Sequence, residues 1–113
     1  MPVDLDETRM SVYEAAYNTF QMLEEEGYNQ HRTYGAVNEA YDRDIAPFVR
    51  SCVDSEGQDP EAERIEIEVG ENATSVNSTQ FYQLMDAHIA FALRDVFDPG
   101  RERFESVINE LER

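Results

Sequence analysis

Phe81, Leu84, Met85, His88, Ile89, Ala92, Leu93 and Val96 recur at steps of three and four residues. That spacing stacks them along one side of an α-helix, whereas a strand would send them to opposite faces. Phe91 and Phe97 extend the apolar surface. A face this wide and this apolar must be covered, so the helix, expected from about Ser78 to Phe97, belongs at the centre of the fold. Asn77 and Gln80 have the spacing of a capping pair at its start, and Asp98-Pro99-Gly100 stops it.

Two other stretches carry the same period. Met10, Tyr13, Ala16, Tyr17, Phe20 and Leu23 predict a first helix over about 5–26, with Asp4 and Glu7 at capping-box spacing and Gly27 as its terminator. A second helical region spans roughly 33–52. Tyr34, Val37, Ala40 and Tyr41 form one stripe, and Ile45, Phe48, Val49 and Cys52 form another. Pro47 lies between the two stripes and has no N–H to donate. Either a kink or two short helices is expected there, with Asp44 capping the second and Pro47 in its first turn. A last helix over about 101–111 has Phe104, Val107, Ile108 and Leu111 at i, i+3, i+4 and i+7.

Arg64-Ile65-Glu66-Ile67-Glu68-Val69 breaks this pattern. Apolar and charged residues alternate with period two, as in a half-buried strand with Ile65, Ile67 and Val69 inward. Gly70-Glu71-Asn72 reads as a turn, and Ala73 to Val76 as a short return strand. A two-stranded hairpin is marginal alone. It must lie on the helices or pair with a second copy across a dimer axis. The expected fold is therefore mainly α: a small bundle of four to five helices with a minor hairpin or single strand near residues 64–76, in one domain over 1–113. With 41% hydrophobic residues, such a chain can bury a core.

Charge narrows the function classes. The chain has no lysine; nine arginines face 25 acids, for a net charge of −16. Direct binding to nucleic acid or to anionic membranes needs the opposite sign. Neither a signal peptide nor an apolar run long enough to cross a bilayer is expected. A lone Cys52 points to a reducing cytoplasm, to a small buried hydrophobe rather than a reactive thiol, and to chance sequons at Asn72 and Asn77.

The acids cluster. Residues 54–72 alone hold eight acids against one arginine. Glu61, Glu63, Glu66, Glu68 and Glu71 fall in this stretch and make the first candidate contact patch for a basic protein surface. Glu66 and Glu68 on one strand face would stand about 6.6–6.8 Å apart, close to every second phosphate of a DNA strand. A second candidate patch is Glu24, Glu25 and Glu26 with Tyr28, at the end of the first helix. Three glutamates there oppose the helix dipole, so either salt screens them or something positive binds them. Tyr28 could stack on an arginine held by those carboxylates.

Catalytic and cofactor chemistry find no foothold. His31, His88 and Cys52 cannot supply a closed zinc site. The acid pairs Asp4/Asp6 and Asp42/Asp44 are what a chain this acidic contains by chance, so no metal is expected. There is no glycine-rich phosphate loop and no nucleophile elbow. His88, on the apolar face, is expected to be a core histidine. The sequence thus points to a non-catalytic acidic protein-binding module, an inhibitor that occupies a basic nucleic-acid-binding groove on a partner, as anti-restriction, anti-CRISPR or nuclease-immunity proteins do. The alternatives are a halophile's protein whose acidity is solvent adaptation, for which the loss of lysine speaks, and a viral or structural homo-oligomer.

Overall fold

The computed structural model describes residues 1–27 and 30–97. Chain order is β1 (Val3–Asp4), α1 (Leu5–Glu25), α2 (Gln30–Ala40), a π-helical turn (Tyr41–Ile45), α3 (Ala46–Asp54), β2 (Arg64–Val69), β3 (Asn72–Asn77) and α4 (Ser78–Val96). Because α2, the π turn and α3 run on without a break, the described residues form three helical rods against one three-stranded mixed sheet. The expected bundle of four to five helices with a minor hairpin is therefore corrected on two counts. The sheet has a third strand, and the middle helical region is one rod. The helix expected over 101–111 lies outside the described residues.

The third strand is Val3–Asp4, which pairs parallel with β2 in the register Val3 to Ile67 and Asp4 to Glu68. Two residues are too few for any period to show in the sequence. Val3 is fully buried and Asp4 N-caps α1, its Oδ1 accepting from the Glu7 N–H at 3.0 Å. The expected cap is thus present, and it fuses strand to helix. Gly27, at φ +80°, ends α1 in the left-handed region that glycine tolerates.

Pro47 explains the π turn. In a regular helix its ring would press on the carbonyl four residues back and leave that carbonyl without a donor. Widening the preceding turn relieves this: the Ala46 N–H reaches back five residues to Tyr41 C=O. The rod stays continuous instead of breaking in two. Asp44 does not cap α3 as expected, because the backbone at Ile45 is already helical. Its carboxylate accepts from Arg43 instead, which holds its pKa below the usual carboxylate value.

The core gathers Val12, Ala16, Phe20, Ile45, Val49, Val53, Ile65, Ile67, Phe81, Met85, Ile89 and Leu93. The central place expected for α4 falls to α1 instead: α4 packs mainly on α1 and more lightly on β2 and β3, whereas α1 also meets α2, the π turn, α3 and β1. Three inward expectations fail. Met10 is 64% exposed, because the buried face of α1 runs through Leu5, Thr8, Val12, Ala16 and Phe20 and leaves Met10 on the far side. Phe91 is 50% exposed, and Val69 is exposed at the hairpin tip beyond the helices. His88 is half-buried at the margin, its Nδ1 2.9 Å from Leu84 C=O. Cys52 is also half-buried, and burial pushes its thiol pKa up.

Candidate functional site

β2 is the middle strand. Its inward residues Ile65 and Ile67 bury against the helices, and Arg64, Glu66 and Glu68 point to the open side. β3 pairs antiparallel with it, setting Glu66 against Ser75 and Glu68 against Ala73. These neighbours are small and uncharged. Neither glutamate makes an ion pair among the described residues. Across the other edge, Asp4 lies in register with Glu68, which adds a carboxylate that the sequence pattern did not assign to this face. The turn Gly70-Glu71 is two residues long, with Gly70 at φ +61°. Glu71 stands exposed at its tip.

The loop over 55–63 folds back on the sheet edge. Gln58 acts as a surrogate strand: its side-chain amide accepts from Glu66 N–H at 2.8 Å and donates to Glu66 C=O at 2.9 Å and Met1 C=O at 2.8 Å. The terminal ammonium donates to Glu56 C=O at 3.0 Å. Tyr82 Oη donates to Pro60 C=O at 2.8 Å, tying the loop to α4. Glu61 is committed within the chain, since Arg50 pairs with it while lying 5.3 Å from the centre of the Tyr82 ring. Glu63 is exposed, with its carbonyl accepting from Ser78 N–H. Of the first candidate patch, Glu66 and Glu68 therefore share one rigid open face, Glu63 and Glu71 flank it, and Glu61 is paired.

The second candidate patch is elsewhere. Glu24 and Glu25 end α1 and Glu26 is its C-cap; all three are exposed, and no basic residue lies in that last turn. Tyr28 lies outside the described residues. A helix of 21 residues is about 31 Å long, so these glutamates stand roughly that far from β1 and the sheet. The fold does not bring the two patches together. Beside Glu26 is a cleft of about 210 Å³ that also takes in Met22, Glu39, Arg43 and Asp44.

A third feature escaped the sequence reading. Between α3 and α4 a cleft of about 270 Å³ is lined by Tyr41, Val49, Arg50, Tyr82, Gln83 and Asp86. Tyr41 Oη donates to Asp86 Oδ1 at 2.6 Å. Burial pushes the Asp86 carboxyl up to about 6 against the pull of that hydrogen bond. Burial and the neighbouring carboxylate raise the Tyr41 phenol as well, and burial raises Tyr82. On the opposite flank of α4, Asp95 accepts from Tyr13 Oη and lifts that phenol to about 12. The polar residues of α4 looked like its solvent face in sequence; only the approach of α1 and of the π turn showed two of them as tyrosine acceptors.

No group of three or more His, Cys, Asp or Glu among the described residues could hold a metal ion. No described helix is long and apolar enough to cross a membrane. No known protein family, characterised protein or solved structure matches this chain.

Proposed function

We propose that this chain is a non-catalytic acidic domain that docks on a basic protein surface, its carboxylates standing where the phosphates of a nucleic acid would lie. The supporting observation is the open face of β2. Glu66 and Glu68 are exposed, fixed by β3 on one side and by Gln58 and β1 on the other, set opposite Ser75 and Ala73, and in no ion pair among the described residues. Carboxylates held rigidly lose little side-chain and loop entropy on binding. Paired charges across such a contact would speed association and make it salt-sensitive. The single cysteine fits a reducing compartment, so we place the domain in the cytoplasm.

The test is charge reversal. Glu66→Arg with Glu68→Arg should weaken binding to a polyarginine surface about tenfold or more at roughly physiological salt, with the melting curve retained. Unchanged affinity would remove this face from the contact. A second reading, solvent adaptation in a salt-rich cytoplasm, is favoured by the absence of lysine and by three glutamates at the negative end of the α1 dipole.

A further inference from the structure

The two edges of the sheet are finished differently. On the β1 side, Val3–Asp4 and the Gln58 amide satisfy the backbone of β2 from Glu66 to Glu68. On the far side, β3 is the edge strand among the described residues, and its six residues, Asn72–Asn77, carry no charge and no proline. Edge strands usually carry such guards.

The direction of the backbone groups of β3 follows from pairing parity. The Ser78 N–H donates to Glu63 C=O at 2.8 Å. Hydrogen-bonded and non-bonded pairs alternate in an antiparallel ladder. Ile65–Val76, Ile67–Thr74 and Val69–Asn72 are then the bonded pairs, as a two-residue turn between Val69 and Asn72 also requires. Glu66–Ser75 and Glu68–Ala73 are non-bonded, so Ser75 and Ala73 turn their N–H and C=O away from β2. Two contacts agree with this. Gln58 bonds the Glu66 backbone from the opposite edge, and Arg64 Nη2 donates to Ser75 C=O at 2.9 Å. That arginine is a side-chain contact on the outward carbonyl of Ser75.

We propose that the outer edge of β3 accepts an extended segment of the basic partner as a fourth strand, one that alternates arginine or lysine with apolar residues. The inference rests on the basic-partner reading and gives its docking mode. Strands lie about 4.7–4.9 Å apart, so a strand beside β3 would be roughly 9–10 Å from β2. On the open face the intervening residues of β3 are Ala73 and Ser75, both small and exposed, with the Arg64 guanidinium held on Ser75 by Nε to Oγ at 3.1 Å and Nη2 to the carbonyl at 2.9 Å. Arginines of the added strand can therefore cross them to reach Glu68 and Glu66. Its alternate residues fall on the other face, beside exposed Thr74 and half-buried Val76, where apolar side chains gain cover. The incoming N–H displaces Arg64 from the Ser75 carbonyl. A second copy of this chain would bring its own −16 to the same edge, which disfavours it as occupant.

The test is isothermal titration with a short peptide alternating arginine and valine. Ser75→Pro removes an N–H that β2 does not use, and proline is tolerated at such an edge position. It should lower affinity about tenfold or more, while circular dichroism stays that of the parent. Should that variant misfold, the same peptide with its alternate amides N-methylated, charge unchanged, should lose affinity on the parent protein to the same degree. Full affinity of either combination, with loss in the Glu66→Arg/Glu68→Arg double variant, overturns strand addition and keeps the acidic face as the contact. No binding by the parent overturns the basic-partner reading itself, and binding that none of the variants weakens overturns strand addition and removes this face from the contact. A parent dimer in sedimentation that Ser75→Pro dissolves would assign the edge to a second copy and also overturn the proposal.

Discussion

Asp86 shows how much one side chain can depend on neighbours far away in sequence. It is half-buried between α3 and α4, and its Oδ1 is held by Tyr41, 45 residues earlier. Because burial disfavours the ionised form, its pKa in the fold is about 6 against an ordinary 3.8. The folded state thus holds this proton more tightly than the unfolded chain. The resulting stabilisation is fully present below pH 3.8 and is lost as pH rises through about 6. Asp86→Asn keeps an acceptor for Tyr41 and abolishes the titration. Relative to the parent, the variant should gain stability steadily between about pH 4 and pH 6 and hold that gain at pH 7. Urea melts of both proteins across this range check it, and a flat difference would mean that the carboxyl is solvated.

At the scale of elements, the sheet depends on what lies at its edges. A hairpin alone is marginal, and here it is completed by a two-residue strand and by one glutamine amide. Gln58→Ala would leave the Glu66 N–H and C=O and the Met1 C=O without this partner. A loss of about 1–3 kcal/mol is expected, measured by chemical unfolding, with faster amide exchange at Glu66. A loss near zero would show that water replaces the glutamine at no cost. The middle rod teaches a related lesson. Pro47 was visible as an interruption, but whether it kinks, breaks or widens a helix depends on what the adjacent turn packs against. Here Tyr41 opens the π turn and donates to Asp86, and Ile45 closes it in the core.

For the whole molecule the question is how −16 is distributed. The carboxylates at the sheet end and those at the end of α1 are separated by about the length of α1, well over the Debye length of about 8 Å at physiological salt. They act as two local fields, not one. Repulsion between the two is then mostly relieved at ordinary ionic strength, and that between neighbours within each is relieved in part. The melting temperature should rise as KCl goes from about 0.01 to 0.2 M and level off beyond that. A climb that continues into the molar range, from a chain unfolded in dilute buffer, would instead attribute the acidity to the solvent.

By itself, the sequence determined the features that rest on local period and local chemistry. The α1 cap at Asp4, its stop at Gly27, the buried face of α4 and the alternating strand with Ile65 and Ile67 inward all follow from neighbours a few residues apart. The inward stripe of α1 followed at Ala16, Phe20 and Leu23 but not in its second turn, where Met10 and Val12 are both apolar and only the approach of α4 and the sheet chooses between them. The third strand, the Gln58 edge, the Tyr41–Asp86 pair and the separation of the two acidic patches were decided by tertiary structure. Each joins groups distant in sequence, through hydrogen bonds or burial that no window of residues contains.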